Sequence, residues 1–178
     1  QELSMLRPEE FQSIPEARNA LIEIIDTYRI NKKRGRILSF DETSKIDALN
    51  IVSLGNGSFG GKGRGLAFIN ALINNLDFSR FNNRINICTP KTAIIGTDEF
   101  EYFMEHNQLN EKVFSKKYSY QQIKELFVEA RLSQDLRNKL RVFIQQITTP
   151  IAVRSSSIYE DSMTQPFAGI FDTYIIPN

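Results

Sequence analysis

Pro150-Ile151-Ala152-Val153-Arg154-Ser155-Ser156-Ser157, followed by Glu160-Asp161 and Phe167-Ala168-Gly169, decides how this chain is read. A short apolar strand delivers an arginine into a run of hydroxyls. A fixed guanidinium beside small hydroxyl donors suits a polyphosphate, because planar donors meet its oxygens and no bulk blocks approach. Taken alone, the stretch also reads as a strand followed by a polar, solvated turn. The balance shifts because a second phosphate-compatible element lies far upstream, Gly55-Asn56-Gly57-Ser58-Phe59-Gly60-Gly61-Lys62-Gly63.

The chain's 178 residues are enough for one good core and a small appendage. Hydrophobic residues make up 41% and charged residues 24%, the profile of an ordinary soluble globular protein. Lys plus Arg number 22 against 21 Asp plus Glu, a net charge of +1, which indicates neither nucleic acid nor an anionic membrane as partner. Any anion site must therefore be a local cluster. The single cysteine, Cys88, follows Ile85-Asn86-Ile87 and reads as a buried structural thiol. The single histidine, His106, falls at the polar end of a predicted helix and reads as a surface residue there. One His and one Cys argue against a zinc site. No apolar run approaches the roughly 18 residues of a membrane span and no signal peptide is visible, so a reducing cytoplasm fits best. The chain begins at Gln1 and ends at Asn178 just after a predicted strand, which reads as a piece of a longer protein.

Along the chain, residues 8–30 predict a helix, with Pro8-Glu9-Glu10 in its first turn and Ala20, Leu21, Ile24, Ile25 and Tyr28 at helical spacing. The basic cluster Lys32-Lys33-Arg34-Gly35-Arg36 ends it, either as an RNA contact or as a solvated helix end favoured by the macrodipole. Residues 47–54 predict a strand. The glycine loop follows, and then a helix from Gly63 to Leu76 whose Leu66, Ala67, Ile69, Leu72, Ile73 and Leu76 trace one wide face. Strands are expected at 84–88, 92–95, 150–154 and 168–176. Further helices are expected from Thr97 to about Met104, at 119–130 and at 133–147, with Thr97, Ser119 and Ser133 as N-caps. Strands and helices mix without regular alternation, which gives the class α+β.

Gly55, Gly57 and Gly60 satisfy G-x-G-x-x-G between a strand and a helix. The dinucleotide fingerprint also wants an acid at the end of the next strand, and Asp77 precedes that strand. A Walker A loop fails because Asn56 and Gly63 stand where it needs a glycine and a hydroxyl. A third reading uses Gly60-Gly61-Lys62-Gly63 itself: glycines admit an anion to the backbone, a helix start supplies free N–H groups, and Lys62 adds a point charge. The bland alternative is a loop whose lysine faces solvent.

Three segments together resemble a known family. They are Gly60-Gly61-Lys62-Gly63-Arg64-Gly65-Leu66-Ala67; then Ile87-Cys88-Thr89-Pro90-Lys91-Thr92-Ala93-Ile94-Ile95-Gly96-Thr97-Asp98-Glu99-Phe100, leading into Tyr102-Phe103-Met104-Glu105-His106-Asn107; and Ile151-Ala152-Val153-Arg154-Ser155-Ser156 with Glu160-Asp161, Phe167-Ala168-Gly169 and Asp172-Thr173. In this order they resemble the start of the nucleotide-binding domain of phosphoenolpyruvate synthase and pyruvate phosphate dikinase, a domain shared by glucan water dikinases and rifampin phosphotransferases. The resemblance spans about residues 50–178, and its last block is the specific one.

The resemblance implies the first subdomain of an ATP-grasp domain at 46–178: a mixed, mainly antiparallel sheet with flanking helices, preceded by a helical linker or appendage at 1–45. It implies ATP as ligand, with Lys62 and Arg154 on the phosphates, Gly60, Gly61, Gly63, Ser155 and Ser156 flanking them, and Glu160 and Asp161 as the acidic pair of the next loop. It also implies a parent protein that uses Mg²⁺, passes a phosphoryl group through a histidine on another domain, and delivers it to pyruvate or another acceptor. The metal ligands, that histidine and the acceptor site would lie in the rest of the parent chain, so no catalytic residue and no metal ligand is assigned here. His106 does not sit in a phosphohistidine context. Departures from the family pattern fall at Arg64, Gly65, Ile158, Ile170 and Phe171 and bear on loop shape and acceptor preference. The alternative is a non-catalytic nucleotide-binding or interaction module that kept the scaffold without turnover.

Overall fold

The computed structural model describes residues 11, 13–33, 35–78, 85, 87–157, 160 and 171–178. The chain divides into two compact units, 1–34 and 35–178. Among the described residues, the first unit holds the helix α1, Ile14–Lys33. Its start is set by Ser13, whose hydroxyl accepts from the Glu16 amide at 3.4 Å and whose carbonyl accepts from the Ala17 amide at 3.1 Å. The expected first turn at Pro8 to Glu10 lies outside the described residues.

The second unit is built on three short parallel strands in the order β1-β2-β3: β1 (Ile37–Ser39), β2 (Ile51–Ser53) and β3 (Thr92–Ile94). Register pairs Leu38 with Val52 and Val52 with Ala93. β1 lies ahead of the expected boundary at 46 and is part of this sheet. Gly35 makes the entry possible: its φ is +70°, and a Cβ there would stand 2.6 Å from the Ala71 Cα. The helix α2 (Gly60–Asn75) links β2 to β3. This crossover carries the chain back to the starting end of the sheet, so that β2 and β3 run parallel. The expected mainly antiparallel sheet is therefore corrected: among the described residues, the antiparallel pairing is β4 (Ile151–Arg154) with β5 (Thr173–Ile176).

Four helices separate β3 from β4: α3 (Thr97–His106), α4 (Leu109–Phe114), α5 (Tyr120–Glu129) and α6 (Gln134–Gln145). Helix α6 covers the sheet. Its Leu136, Leu140 and Phe143, with Ile147 beyond it, join Phe40, Ile46, Val52 and Leu54 in the core. These positions repeat at helical spacing, so one stripe of α6 faces inward. Phe40 and Phe143 meet edge to face at 6.3 Å. Gln146 fastens the end of this helix to the β1–β2 connection: its Oε1 accepts from the Ile46 amide at 3.0 Å and its Nε2 donates to the Ser44 carbonyl at 2.9 Å. Ser119 and Ser133 cap α5 and α6 as expected, Ser119 with Gln122 in a reciprocal capping box.

Other expectations need correction. Thr97 is the first residue of α3 and does not cap it; Gly96 holds the cap position. Cys88 is exposed; among the described residues of 85–91, it is Thr89 that turns inward. Helix α2 buries Gly60, Gly63 and Asn70, while Ile69, Leu72 and Leu76 of the expected apolar face are about half exposed. The inward side is small and polar because it is hydrogen-bonded. Asn70 Nδ2 donates to the Leu49 carbonyl at 3.1 Å, and its Oδ1 accepts from the Thr89 hydroxyl at 2.6 Å. His106 ends α3, exposed and stacked on Tyr102 at 5.1 Å.

Candidate functional site

The chain leaves β2 through Leu54, whose amide donates to the Ile94 carbonyl at 2.9 Å. Gly55-Asn56-Gly57-Ser58 then folds onto the start of α3. The Asn56 amide donates to Asp98 Oδ2 at 2.7 Å and the Ser58 amide to Thr97 Oγ1 at 3.0 Å. The Thr97 amide returns a bond to the Ser58 carbonyl at 3.1 Å. At Gly57, φ is +81° and a Cβ would stand 2.5 Å from Thr97 Oγ1. The first half of the glycine run is thus a structural clasp, which also disposes of its G-x-G-x-x-G reading as an open cradle.

The second half begins α2. Phe59 holds the N-cap position and has no side-chain acceptor to offer, so the cap comes from the serine loop. Ser156 accepts from the Gly61 amide through its carbonyl at 3.0 Å and from the Gly63 amide through Oγ at 2.8 Å. The same Oγ donates to the Phe59 carbonyl at 2.6 Å. Gly60 permits this contact: its φ is +64°, and a Cβ would overlap the Ser156 carbonyl. The expectation of free N–H groups at this helix start is accordingly corrected at Gly61 and Gly63, whose amides already have partners within the chain.

Lys62 reaches into the same junction. Its Nζ lies 2.5 Å from Glu160 Oε2, with the two side chains 22% and 17% exposed. At that depth the pair attracts more strongly than it would in bulk water. Arg154 ends β4, exposed, two residues before Ser156. Ser155 Oγ accepts from the Ser157 amide at 3.2 Å. The structure therefore gathers Gly60, Gly61, Lys62, Gly63, Ser156 and Glu160, residues from two loops far apart in sequence. Asp161, Phe167, Ala168 and Gly169 lie outside the described residues, as do Ile158 and Ile170.

Chemically, the junction holds an ammonium against an oxyanion at a point fixed by backbone hydrogen bonds. No group of three Cys, His, Asp or Glu suited to a metal occurs among the described residues. No described helix is long and apolar enough to cross a membrane. A separate groove of about 410 Å³ lies along α3, α4 and α5, lined by Phe100, Met104, Val113, Phe114 and Phe127 among others. It shares no residue with the lysine junction, and its apolar lining lacks the cations a phosphate needs. Thr97 and Asp98 are the positioning residues that sequence reading missed. Their hydroxyl and carboxylate at a helix start were visible, but such groups can serve their own helix or a neighbouring loop, and only the packing of the loop on α3 decides which.

Residues 56–178 match the family model described as pyruvate phosphate dikinase, AMP/ATP-binding domain. Comparison with curated proteins and with solved structures gave no significant match. The matched region contains the glycine run from Asn56 onward, the Thr97–Asp98 clasp, and Ser156 and Glu160, so the junction falls wholly inside it. By that match, which covers more than half of its length, the chain belongs to the pyruvate phosphate dikinase AMP/ATP-binding domain family.

Proposed function

We propose that Lys62 and Arg154 hold the phosphates of ATP, and that this chain serves a dikinase of the phosphoenolpyruvate synthase type as the first subdomain of an ATP-grasp domain. The observation that carries this reading is the Lys62 ammonium bound to an oxyanion at the seam of the glycine and serine loops. An ammonium set there by backbone bonds is suited to a phosphate oxygen as well as to a carboxylate. Arg154 adds planar donors. Gly60, Gly61 and Gly63 let Ser156 seat against the start of α2, and Ser155 and Ser156 add little bulk beside Lys62.

Phosphoryl transfer asks a protein mainly to position phosphates and neutralise their charge. These residues would supply part of that work. Mg²⁺, held by carboxylates elsewhere in the parent protein, would supply the rest of the charge neutralisation. The parent reaction would convert ATP, pyruvate and water into phosphoenolpyruvate, AMP and phosphate through a phosphohistidine on another domain. The chain by itself would not turn over substrate, because it contributes only one wall of the cleft.

The test is AMP formation from ATP by the full parent protein, with and without pyruvate. Pyruvate-dependent AMP supports the reading. AMP formed only with another acceptor, such as a glucan, overturns the pyruvate assignment and keeps the dikinase. Nucleotide binding without AMP under any acceptor favours a non-catalytic module.

A further inference from the structure

We infer that Glu160 is a built-in competitor for the anion that Lys62 binds, so that phosphate binding at this junction is an exchange of one anion for another. The inference rests on the reading of Lys62 as a phosphate-binding cation. Both partners are anchored to neighbouring residues, Ser156 and Ser157. The backbone on either side of Lys62 is tied to Ser156 through the Gly61 and Gly63 amides. Glu160 lies four residues beyond Ser156 on the same loop, its amide donating to the Ser157 carbonyl at 3.4 Å. Main-chain bonds thus bring the two segments together, and Nζ lies 2.5 Å from Oε2.

An ammonium is a compact charge with three donors. A carboxylate oxygen at that distance occupies a direction that a phosphate oxygen would use. The pair is also largely withdrawn from water. A lysine this deep is costly without a counter-anion, and Glu160 supplies one. A triphosphate arriving at Lys62 would place more negative charge beside Glu160, and like charges at this range repel. Glu160 must therefore leave Lys62 as phosphate takes it. The exchange lowers affinity and hastens release, while keeping the lysine charged and placed between events.

The experiment is an NMR titration of the isotope-labelled chain with inorganic tripolyphosphate, in wild type, Glu160→Gln and Lys62→Met. The Glu160 carboxylate carbon should shift with the same midpoint as the Lys62 side-chain carbon next to Nζ. Glu160→Gln should bind about fivefold tighter, the scale of a partly screened ion pair. A Glu160 carboxylate that stays unperturbed while Lys62 titrates overturns the exchange, whatever the variants do. That wild-type readout also decides the matter if Glu160→Gln fails to fold. Loss of binding in Lys62→Met with no gain in Glu160→Gln contradicts the competitor alone. Unchanged binding in Lys62→Met contradicts the phosphate reading on which it rests.

Discussion

Ser156 Oγ stands 2.8 Å from the Gly63 amide and caps α2 across 93 residues of sequence. Most helix caps are local, supplied by the residue just before the first turn. Here that residue is Phe59, which has nothing to give, and the loop after β4 supplies the acceptor instead. One hydroxyl thereby joins the two loops that carry the candidate site.

Replacing that hydroxyl should loosen the junction. Ser156→Ala leaves the Gly63 amide and the Phe59 carbonyl without their partner and should cost about 1–2 kcal/mol. Gly60→Ala should cost more, above about 2 kcal/mol, because it meets a backbone carbonyl from a left-handed conformation. Urea unfolding of both variants checks the order. Equal costs, or none for Gly60→Ala, would mean that the Ser156 contact is not held as described.

Asn70 should matter more than the apolar residues of the same helix. It is fully buried and bridges Leu49 to Thr89, whereas Leu72 is 48% exposed. Asn70→Ala leaves the buried Thr89 hydroxyl without its acceptor and should destabilise by about 2–3 kcal/mol. Leu72→Ala should stay below about 1 kcal/mol. The reverse order in thermal unfolding would show that α2 packs through its apolar side.

Asp41 gives the pH dependence a direction. The Thr43 hydroxyl, 2.7 Å from Oδ1, is the first cause that holds this carboxyl below its ordinary value of 3.8, with the Thr43 amide and the Ser44 hydroxyl adding to it. A carboxyl depressed in the folded state lends stability above its unfolded pKa and loses it as pH falls through the folded value. Asp41→Asn should therefore be less stable than wild type near neutrality, with the gap closing below about pH 4. A gap unchanged between neutral and strongly acidic pH would rule out the charged carboxylate as its source.

The sequence carried what is decided locally. Ser119 and Ser133 announced the starts of α5 and α6 because a cap and its helix are neighbours. The passage from β2 through glycines into α2 was legible for the same reason, as was the exposed place of His106. What tertiary packing decides was not. Thr97 has the chemistry of a cap, but its hydroxyl goes to Ser58. The apolar spacing in α2 pointed to one wide buried face, yet only Leu66, Ala67 and Ile73 of it are partly buried beside Gly63 and Asn70, while Ile69, Leu72 and Leu76 stay about half exposed. α4 is only six residues long, too short for a periodic signal. At the site, the residue types of Lys62, Ser156 and Glu160 were readable, but not that Ser156 would take the α2 amides or that Glu160 would take Lys62.

The most direct test of the account is a titration of this chain with Mg·ATP, followed by amide resonances and calorimetry. If Lys62 and Arg154 hold the phosphates as proposed, two partly exposed cations should give weak binding, near the roughly 4 kcal/mol of a millimolar dissociation constant. The perturbed amides should cluster at residues 60–63 and 154–156, and Lys62→Met or Arg154→Ala should remove the response. Perturbations gathered along α3, α4 and α5 instead, or a titration indifferent to both substitutions, would contradict the placement of the nucleotide phosphates at the Lys62 junction.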